Sequence, residues 1–274
     1  MKTVSGRDGA FLAEMGIAPL WTLRHVAAVD DASVAVVETV AAPTVIAPAP
    51  APVPALVPAV ADADADADAD IARMDWPALR EAINNCTRCG ACRPGAAPVH
   101  GAGAGRATWF VAAGAVGVAE EQANLPVAGD AGKLLDNMLA AAGHARARDV
   151  FVTHLVKCRP VTANGGDRAP SADEIAACRP FVARELALTG AGVLLTVGQV
   201  AANAMLGKPL HESLAGSRGQ VHAVGDVALV ATLHPAELLR RGADKALAWA
   251  DLCRAMALPA VLPPASGAAG AAGA

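Results

Sequence analysis

Four cysteines have the spacing of ligands for one metal or iron–sulfur centre. Cys86 and Cys89 form a C-x-x-C pair, 68 residues separate this pair from Cys158, and 19 more separate Cys158 from Cys178. A close pair and two single cysteines, each single one followed by Arg-Pro, are typical of four thiolates that converge on one iron–sulfur cluster, with zinc as the alternative. Such a centre would tie the start of the folded region to its middle.

The other two cysteines have different interpretations. Cys92 could extend the close pair, but four ligands complete a cluster and Cys92 would be a fifth. Cys253 is interpreted as a small buried hydrophobe in the apolar helix around residues 249–256. Disulfides are the alternative for all six. The N-terminus shows no secretory signal, so we expect a cytoplasmic, reducing location, where cysteine clusters more often bind metal.

Composition divides the 274 residues into four segments. We predict an N-terminal extension with a short helix at 1–40, a disordered Ala/Pro/Asp linker at 41–70, one folded domain at 71–258 and a disordered tail at 259–274. We predict disorder for the linker because it shows no helical or strand periodicity and the charges of its Asp run repel one another. No apolar run reaches membrane-spanning length, so we expect no membrane association.

The formal charge of −4 hides an asymmetry. Residues 26–70 contain eight acids and no Lys or Arg, whereas residues 71–258 contain 19 Lys and Arg against 16 Asp and Glu. A mildly basic domain on an acidic tether permits nucleic-acid binding without demonstrating it.

Within the domain, strand patterns alternate with helix patterns. Short apolar runs predict strands, and residues with helical spacing or a capping box predict helices. The predicted strands are 107–112, 149–156, 192–197 and a hairpin pair at 221–222 and 227–232; the predicted helices are 131–143, 171–188, 199–206 and 244–257. This order predicts an α/β fold with three layers, α/β/α, around a central, mostly parallel sheet. The loops after residues 112, 156, 197 and 232 then meet at the carboxyl edge, where such sheets bind ligands.

Those loops carry a family resemblance. From about residue 75 to 256 the chain resembles the type-4 uracil-DNA glycosylases, bacterial and archaeal enzymes with a four-cysteine 4Fe–4S cluster. The matching strings are the C-x-x-C pair, LPVAGDAGKLLD (125–136), VKCRP (156–160), RAP (168–170), ACRP (177–180), RG (218–219) and LHPAELLR (233–240). The resemblance implies a uracil-DNA glycosylase-like fold and a 4Fe–4S cluster on the four cysteines named above.

The resemblance also implies base flipping, in which uracil leaves the duplex and water attacks the sugar carbon. Family members have a Gly-Glu-Ala/Gly-Pro-Gly loop with a carboxylate near the water, a Phe that stacks on uracil and an Asn that reads its edge. This chain departs from that pattern: Gly114 occupies the carboxylate position in a loop that ends at Gly117, Val127 the stacking position and His154 the Asn position.

His234 keeps the family pattern. It begins the His-Pro segment, whose His donates to the departing uracil anion in the family, and the segment ends at Arg240, a candidate DNA contact. We therefore predict His234 as the catalytic residue and Gly117, Val127, His154 and Arg240 as substrate-binding positions. Glu120 and Glu121 could also approach a water, although solvated surface acids are the commoner interpretation of such a pair.

The sequence predicts a uracil-DNA glycosylase-family repair protein with weakened excision, acting on single- or double-stranded DNA as a monomer. The N-terminal segment is a candidate contact for a repair or replication partner. The alternative is a catalytically inactive iron–sulfur DNA-binding protein of the same fold. Two other classes are disfavoured: the Gly132-Lys133 pair lacks the remaining P-loop residues, and the cysteines are too dispersed for a simple electron carrier.

Overall fold

A computed structural model describes residues 62–93 and 95–259. The predicted N-terminal extension, most of the predicted linker and nearly all of the predicted tail lie outside these residues. No helix in the described part of the chain is long and apolar enough to cross a membrane.

The domain is built on one six-stranded sheet. Its strands are β1 (Ala102–Gly103), β2 (Trp109–Ala115), β3 (Val150–Val156), β4 (Val193–Val197), β5 (Val221–Val224) and β6 (Val227–Thr232). The spatial order is β1-β3-β2-β4-β6-β5, with the inner four parallel and both edge strands antiparallel to their neighbours. The predicted α/β fold with a mostly parallel sheet is confirmed.

Helices cover both faces of this sheet. They are α1 (Asp62–Ile71), α2 (Trp76–Asn84), α3 (Val118–Ala123), α4 (Gly129–Ala141), α5 (Ala172–Thr189), α6 (Gln199–Leu206), α7 (Pro235–Arg240) and α8 (Lys245–Met256). Leu135 and Leu139 of α4 and Leu252 of α8 pack on one face of the sheet. Val182 of α5 and Ala201 of α6 pack on the other. The inner strands are buried on both faces, which explains their continuous apolar runs.

The capping box predicted at the start of α5 is present. The Ser171 hydroxyl accepts from the N–H of Glu174 at 3.2 Å, and the Glu174 carboxylate accepts from the N–H of Ser171 at 2.9 Å. Arg168 donates to both oxygens of the same carboxylate, at 2.8 and 2.5 Å. The helix therefore begins at a fixed point, which in turn fixes the position of Cys178 about two turns after Ser171.

Two expectations were wrong. The Ala/Asp repeat was predicted as disordered, but Asp62–Ile71 forms α1. Alanine has the highest helix propensity, and α1 is held by the burial of Ile71 against Phe181 and by an ion pair between Asp68 and Arg88 at 2.6 Å. Cys253 was interpreted as buried and is exposed, because α8 turns Leu252 and Ala255 towards the sheet instead.

Candidate active site and cysteine cluster

Five cysteines come together at the carboxyl end of β3. Cys86, Cys89 and Cys92 lie in the loop after α2, Cys158 follows β3, and Cys178 lies on α5. The Cys92 sulfur lies 3.4 Å from that of Cys89, 3.8 Å from that of Cys86 and 3.9 Å from that of Cys158. Cys178 is buried in the same group of packed side chains. We call these five residues the cysteine cluster; it brings together the four cysteines singled out from their spacing and adds Cys92.

The chemistry of this cluster suits a cationic centre. Burial raises the pKa of Cys92 and of Cys158, and raises that of Cys178 to about 12. These three thiols are therefore protonated when no positive charge lies among them, and a bound metal or iron–sulfur centre would stabilise the thiolates that ligate it. Among the described residues, no three potential ligands have side chains arranged to hold a metal ion. Loading would require a local rearrangement of the thiols.

A buried ion pair joins the segment that carries Cys158 to the helix that carries Cys178. Lys157 Nζ lies 2.6 Å from the Glu185 carboxylate of α5 and also donates to Thr153 of β3, and the Lys157 and Glu185 side chains are 2% exposed. Thr153 donates to the same carboxylate at 2.9 Å. Such a closed network is stable only when every member is paired, so it fixes α5 against β3. Sequence reasoning missed this contact, since nothing in the pattern links positions 28 residues apart.

A cavity of about 380 Å³ opens at the same edge of the sheet. Its walls are the loop after β2, the segment 167–170, the start of α6 and the start of α7. Three of the predicted site residues line it: Gly117, His234 and Arg240. The predicted meeting of loops at the carboxyl edge is therefore observed for β2, β4 and β6.

The tertiary structure gives His234 a defined tautomer. His234 is the N-cap of α7, and its Nδ1 accepts from the N–H of Ala236 at 3.2 Å. Burial lowers the pKa of His234, against the smaller opposing effects of Glu120 and Glu237. The ring is therefore neutral at pH 7 and carries its proton on Nε2, because Nδ1 is already an acceptor. A neutral N–H donor results, held in place by the helix cap.

His154 and Val127 do not line the cavity. His154 is buried in β3, and burial, followed by the charge of Lys157, lowers its pKa to about 3. Within the described residues, its Nδ1 has no hydrogen-bond partner. His154 is therefore a buried, neutral side chain with an unused polar atom.

Val127 is fully buried in the core, packed with residues such as Trp109 and Leu135. Its φ of +49° is a left-handed conformation that a β-branched residue rarely adopts. Arg146 donates to the carbonyl oxygens of Pro126, at 2.6 Å, and Val127, at 3.1 Å, which helps to hold this strained turn. The side chain at the predicted stacking position thus fills the core and offers no aromatic face.

The two glutamates near the cavity are both engaged. The Glu120 carboxylate accepts from the N–H of Gly117 at 3.1 Å and from that of Ala128 at 3.2 Å, so it clamps the loop after β2 to the turn before α4. Glu121 pairs with Arg159 at 3.3 Å. The clamp by Glu120 was missed from the sequence, although its position three residues after a loop glycine is the signal that a helix-start carboxylate gives.

The cavity and the cysteine cluster share a wall. Ala115 packs against the cluster on one side and lines the cavity on the other. Arg159, next to Cys158, also pairs with Asp167, a second residue of the cavity wall. A rearrangement of the cysteine cluster would therefore reach the cavity wall through two contacts, the packing of Ala115 and the Arg159–Asp167 pair.

Comparison with known proteins agrees with this arrangement. Residues 100–253 match the model of the uracil DNA glycosylase superfamily. The chain is 32% identical over 177 residues to a type-4 uracil-DNA glycosylase of Pyrobaculum aerophilum, covering 62% of this chain and 87% of that protein. Type-4 uracil-DNA glycosylases of Archaeoglobus fulgidus (32% identity; 58% of this chain and 80% of the relative) and Saccharolobus solfataricus (28%; 59% and 76%) are also similar.

The fold and the cavity at the carboxyl edge define an α/β protein with a cavity between the loops that follow its parallel strands. The extent of these matches shows the family: the chain belongs to the type-4 family of the uracil-DNA glycosylase superfamily.

Proposed function

We propose that this protein is a DNA-repair glycosylase that releases uracil from DNA slowly, with His234 as its main catalytic group. The observation that carries the proposal is the contact of His234, which lines the cavity and whose Nδ1 accepts from the Ala236 N–H, so that the proton of the neutral ring is assigned to Nε2. A neutral donor that is already oriented stabilises negative charge as it develops on a leaving group.

The reaction follows from that donor. The flipped nucleotide enters the cavity, water forms a bond to the sugar carbon, and the glycosidic bond breaks with its electron pair passing to uracil. His234 donates a hydrogen bond to the resulting anion. Excision is weak because the cavity wall has Gly114 where family members have a carboxylate, and because Val127 offers no stacking surface. Neither glutamate compensates, since Glu120 and Glu121 are engaged in loop contacts.

We also propose that Cys86, Cys89, Cys158 and Cys178 hold a 4Fe–4S cluster, as the family resemblance implies. The convergence of these thiols supports the proposal. Bound there, the cluster would hold the loop after α2, the end of β3 and α5 together. An absorbance band near 400 nm with matching iron content would support it; stoichiometric zinc instead would overturn it.

A single-turnover assay on uracil-containing oligonucleotides, single- and double-stranded, tests the activity. We expect slow conversion to abasic product, no conversion of thymine controls and loss of conversion in H234A. Release at the rate of a typical family member would contradict the weakened site. Salt-dependent binding without any product would favour the catalytically inactive alternative.

Arg240 is the proposed DNA contact at the rim of the cavity. It is exposed and lines the cavity, whereas its neighbour Arg241 pairs with Glu237 at 3.6 Å. One lost phosphate contact lowers the slope of log K against log salt by about 1. R240A is therefore expected to show that change in a fluorescence-anisotropy titration, and R241A serves as the matched control. Equal slopes for R240A and wild type would remove Arg240 from the interface.

A further inference from the structure

Cys92 lies among the proposed ligands and has no assigned role. Its sulfur is within 4 Å of three other cysteine sulfurs, at 3.4 Å from Cys89, 3.8 Å from Cys86 and 3.9 Å from Cys158. The position places Cys92 inside the cysteine cluster.

The local sequence repeats the ligand spacing. Residues 86–92 read Cys-Thr-Arg-Cys-Gly-Ala-Cys, so two C-x-x-C pairs overlap at Cys89. The second pair is closed by a turn, in which the N–H of Cys92 donates to the carbonyl oxygen of Cys89 at 3.0 Å. Buried Ala91 packs with Cys158 and Cys178 and anchors this turn against the rest of the cluster. The pair Cys89/Cys92 is thus presented to the two distant cysteines, as the pair Cys86/Cys89 is.

We propose that Cys86 and Cys92 are interchangeable ligands on either side of an obligatory Cys89. This inference rests on the cluster assigned above, which needs four thiolates while the chain presents five thiols. The sulfur that ligates a bound cluster would do so as a thiolate while the other stays a protonated thiol, so that an exchange would move one proton from the incoming sulfur to the outgoing one. The exchange is not a redox step, because both sulfurs keep their oxidation state.

Iron content after anaerobic purification tests the roles proposed for Cys86, Cys89 and Cys92. In a C253A background, which removes the exposed cysteine, we expect C86A and C92A each to keep the iron and the visible band of the parent. C89A, C158A and the double variant C86A/C92A are expected to lose most of their iron. The difference between C86A and C86A/C92A measures the exchange directly. C86A that is as empty as C86A/C92A would overturn the inference, and so would C92A that loses its iron.

Alkylation of the loaded C253A protein gives a test that does not depend on a ligand variant folding. Mass mapping after brief iodoacetamide treatment is expected to find label on Cys86 or on Cys92 of a molecule but never on both. In loaded C86A, Cys92 is expected to be protected. Label on both residues of one loaded molecule, or on Cys92 in loaded C86A, would contradict the exchange.

The metal itself separates this inference from the proposed function. Zinc in place of iron would overturn the cluster, and zinc retained in C86A but lost from C86A/C92A would still support the exchange. Parent protein that holds neither metal would overturn both.

Discussion

The cysteine cluster and the cavity lie at the same edge of the sheet and share Ala115, but their side chains differ in what they supply. The cluster gathers five thiols from three separate parts of the chain. The cavity is lined at Gly114, Ala115 and Gly117 by residues without functional side chains, and His234 is its one predicted catalytic group. The cluster thus presents five groups of one chemical kind, whereas the β2 side of the cavity presents a wall without functional groups.

The difference shows that the two requirements are separable. Cys158 and Cys178 are packed in one buried group between the end of β3 and α5, so they contribute to the core whether or not they also hold a bound centre. Side chains that project into a solvent-filled cavity stabilise the fold little, so their loss removes rate without removing structure. A site can therefore lose catalytic groups while the scaffold that once positioned them persists.

The largest expected effect is a loss of stability when a cysteine of the cysteine cluster is removed. C178A is expected to lower the free energy of unfolding by more than about 4 kcal/mol, because it removes a ligand as well as a buried side chain. C253A, on the exposed side of α8, is the matched control and is expected to leave stability unchanged. Thermal unfolding with iron analysis measures both. Equal stability of the two variants would show that the cluster does not hold the fold.

The next effect tests the cavity at its remaining group. H234A is expected to reduce uracil release about 10²–10³-fold through loss of the donor, and also to lose about 1 kcal/mol of stability with the helix cap. H234S keeps a capping oxygen and is expected to lose release but not stability. Single-turnover rates and melting temperatures separate the two roles. Wild-type release by H234S would remove His234 from the mechanism.

A carboxylate introduced at position 114 should give the cavity a functional group that its β2 side lacks. Gly114 has no positive φ, and a Cβ there would meet Val200 at 3.4 Å, so a side chain fits with little adjustment. G114E is expected to raise uracil release about 10²-fold, the low end for a positioned acid–base group. G114A, with the same backbone change and no carboxylate, is the control. No gain in G114E would mean that stacking, not water activation, limits the rate.

The effect that is smallest at neutral pH is a pH dependence from the buried ring of His154. The pKa of His154 falls from 6.5 to about 3 on folding, so below pH 6.5 the unfolded chain binds a proton that the native chain excludes. Stability is fully present above 6.5 and falls by about 1.4 kcal/mol per pH unit below it, until the pH passes the folded value. H154N is expected to flatten this slope in urea titrations at pH 4–7. H211N, at an exposed position, is expected to keep it; identical slopes in H154N and wild type would refute the assignment.

Much of the fold followed from local signals. The apolar runs of β2, β3 and β4 and the capping box of α5 are properties of short windows, and each was predicted within a few residues. The short helix α3 and the two-residue strand β1 were missed, because neither is long enough to show a period. Helix α1 was missed because its repeat of Ala and Asp looks self-repelling until Ile71 finds a buried contact on α5.

Sequence alone determined the family, the four spaced cysteines and the loss of the carboxylate and stacking groups, because each depends only on which residue stands at which position. The tertiary structure decided what the remaining groups do. It gave His234 its tautomer through a backbone contact at a helix start, buried His154 and Val127 away from the cavity wall, and engaged Glu120 in a loop clamp. It also placed Cys92 among the other thiols. These properties depend on distances between elements far apart in the chain, and no local pattern encodes such distances.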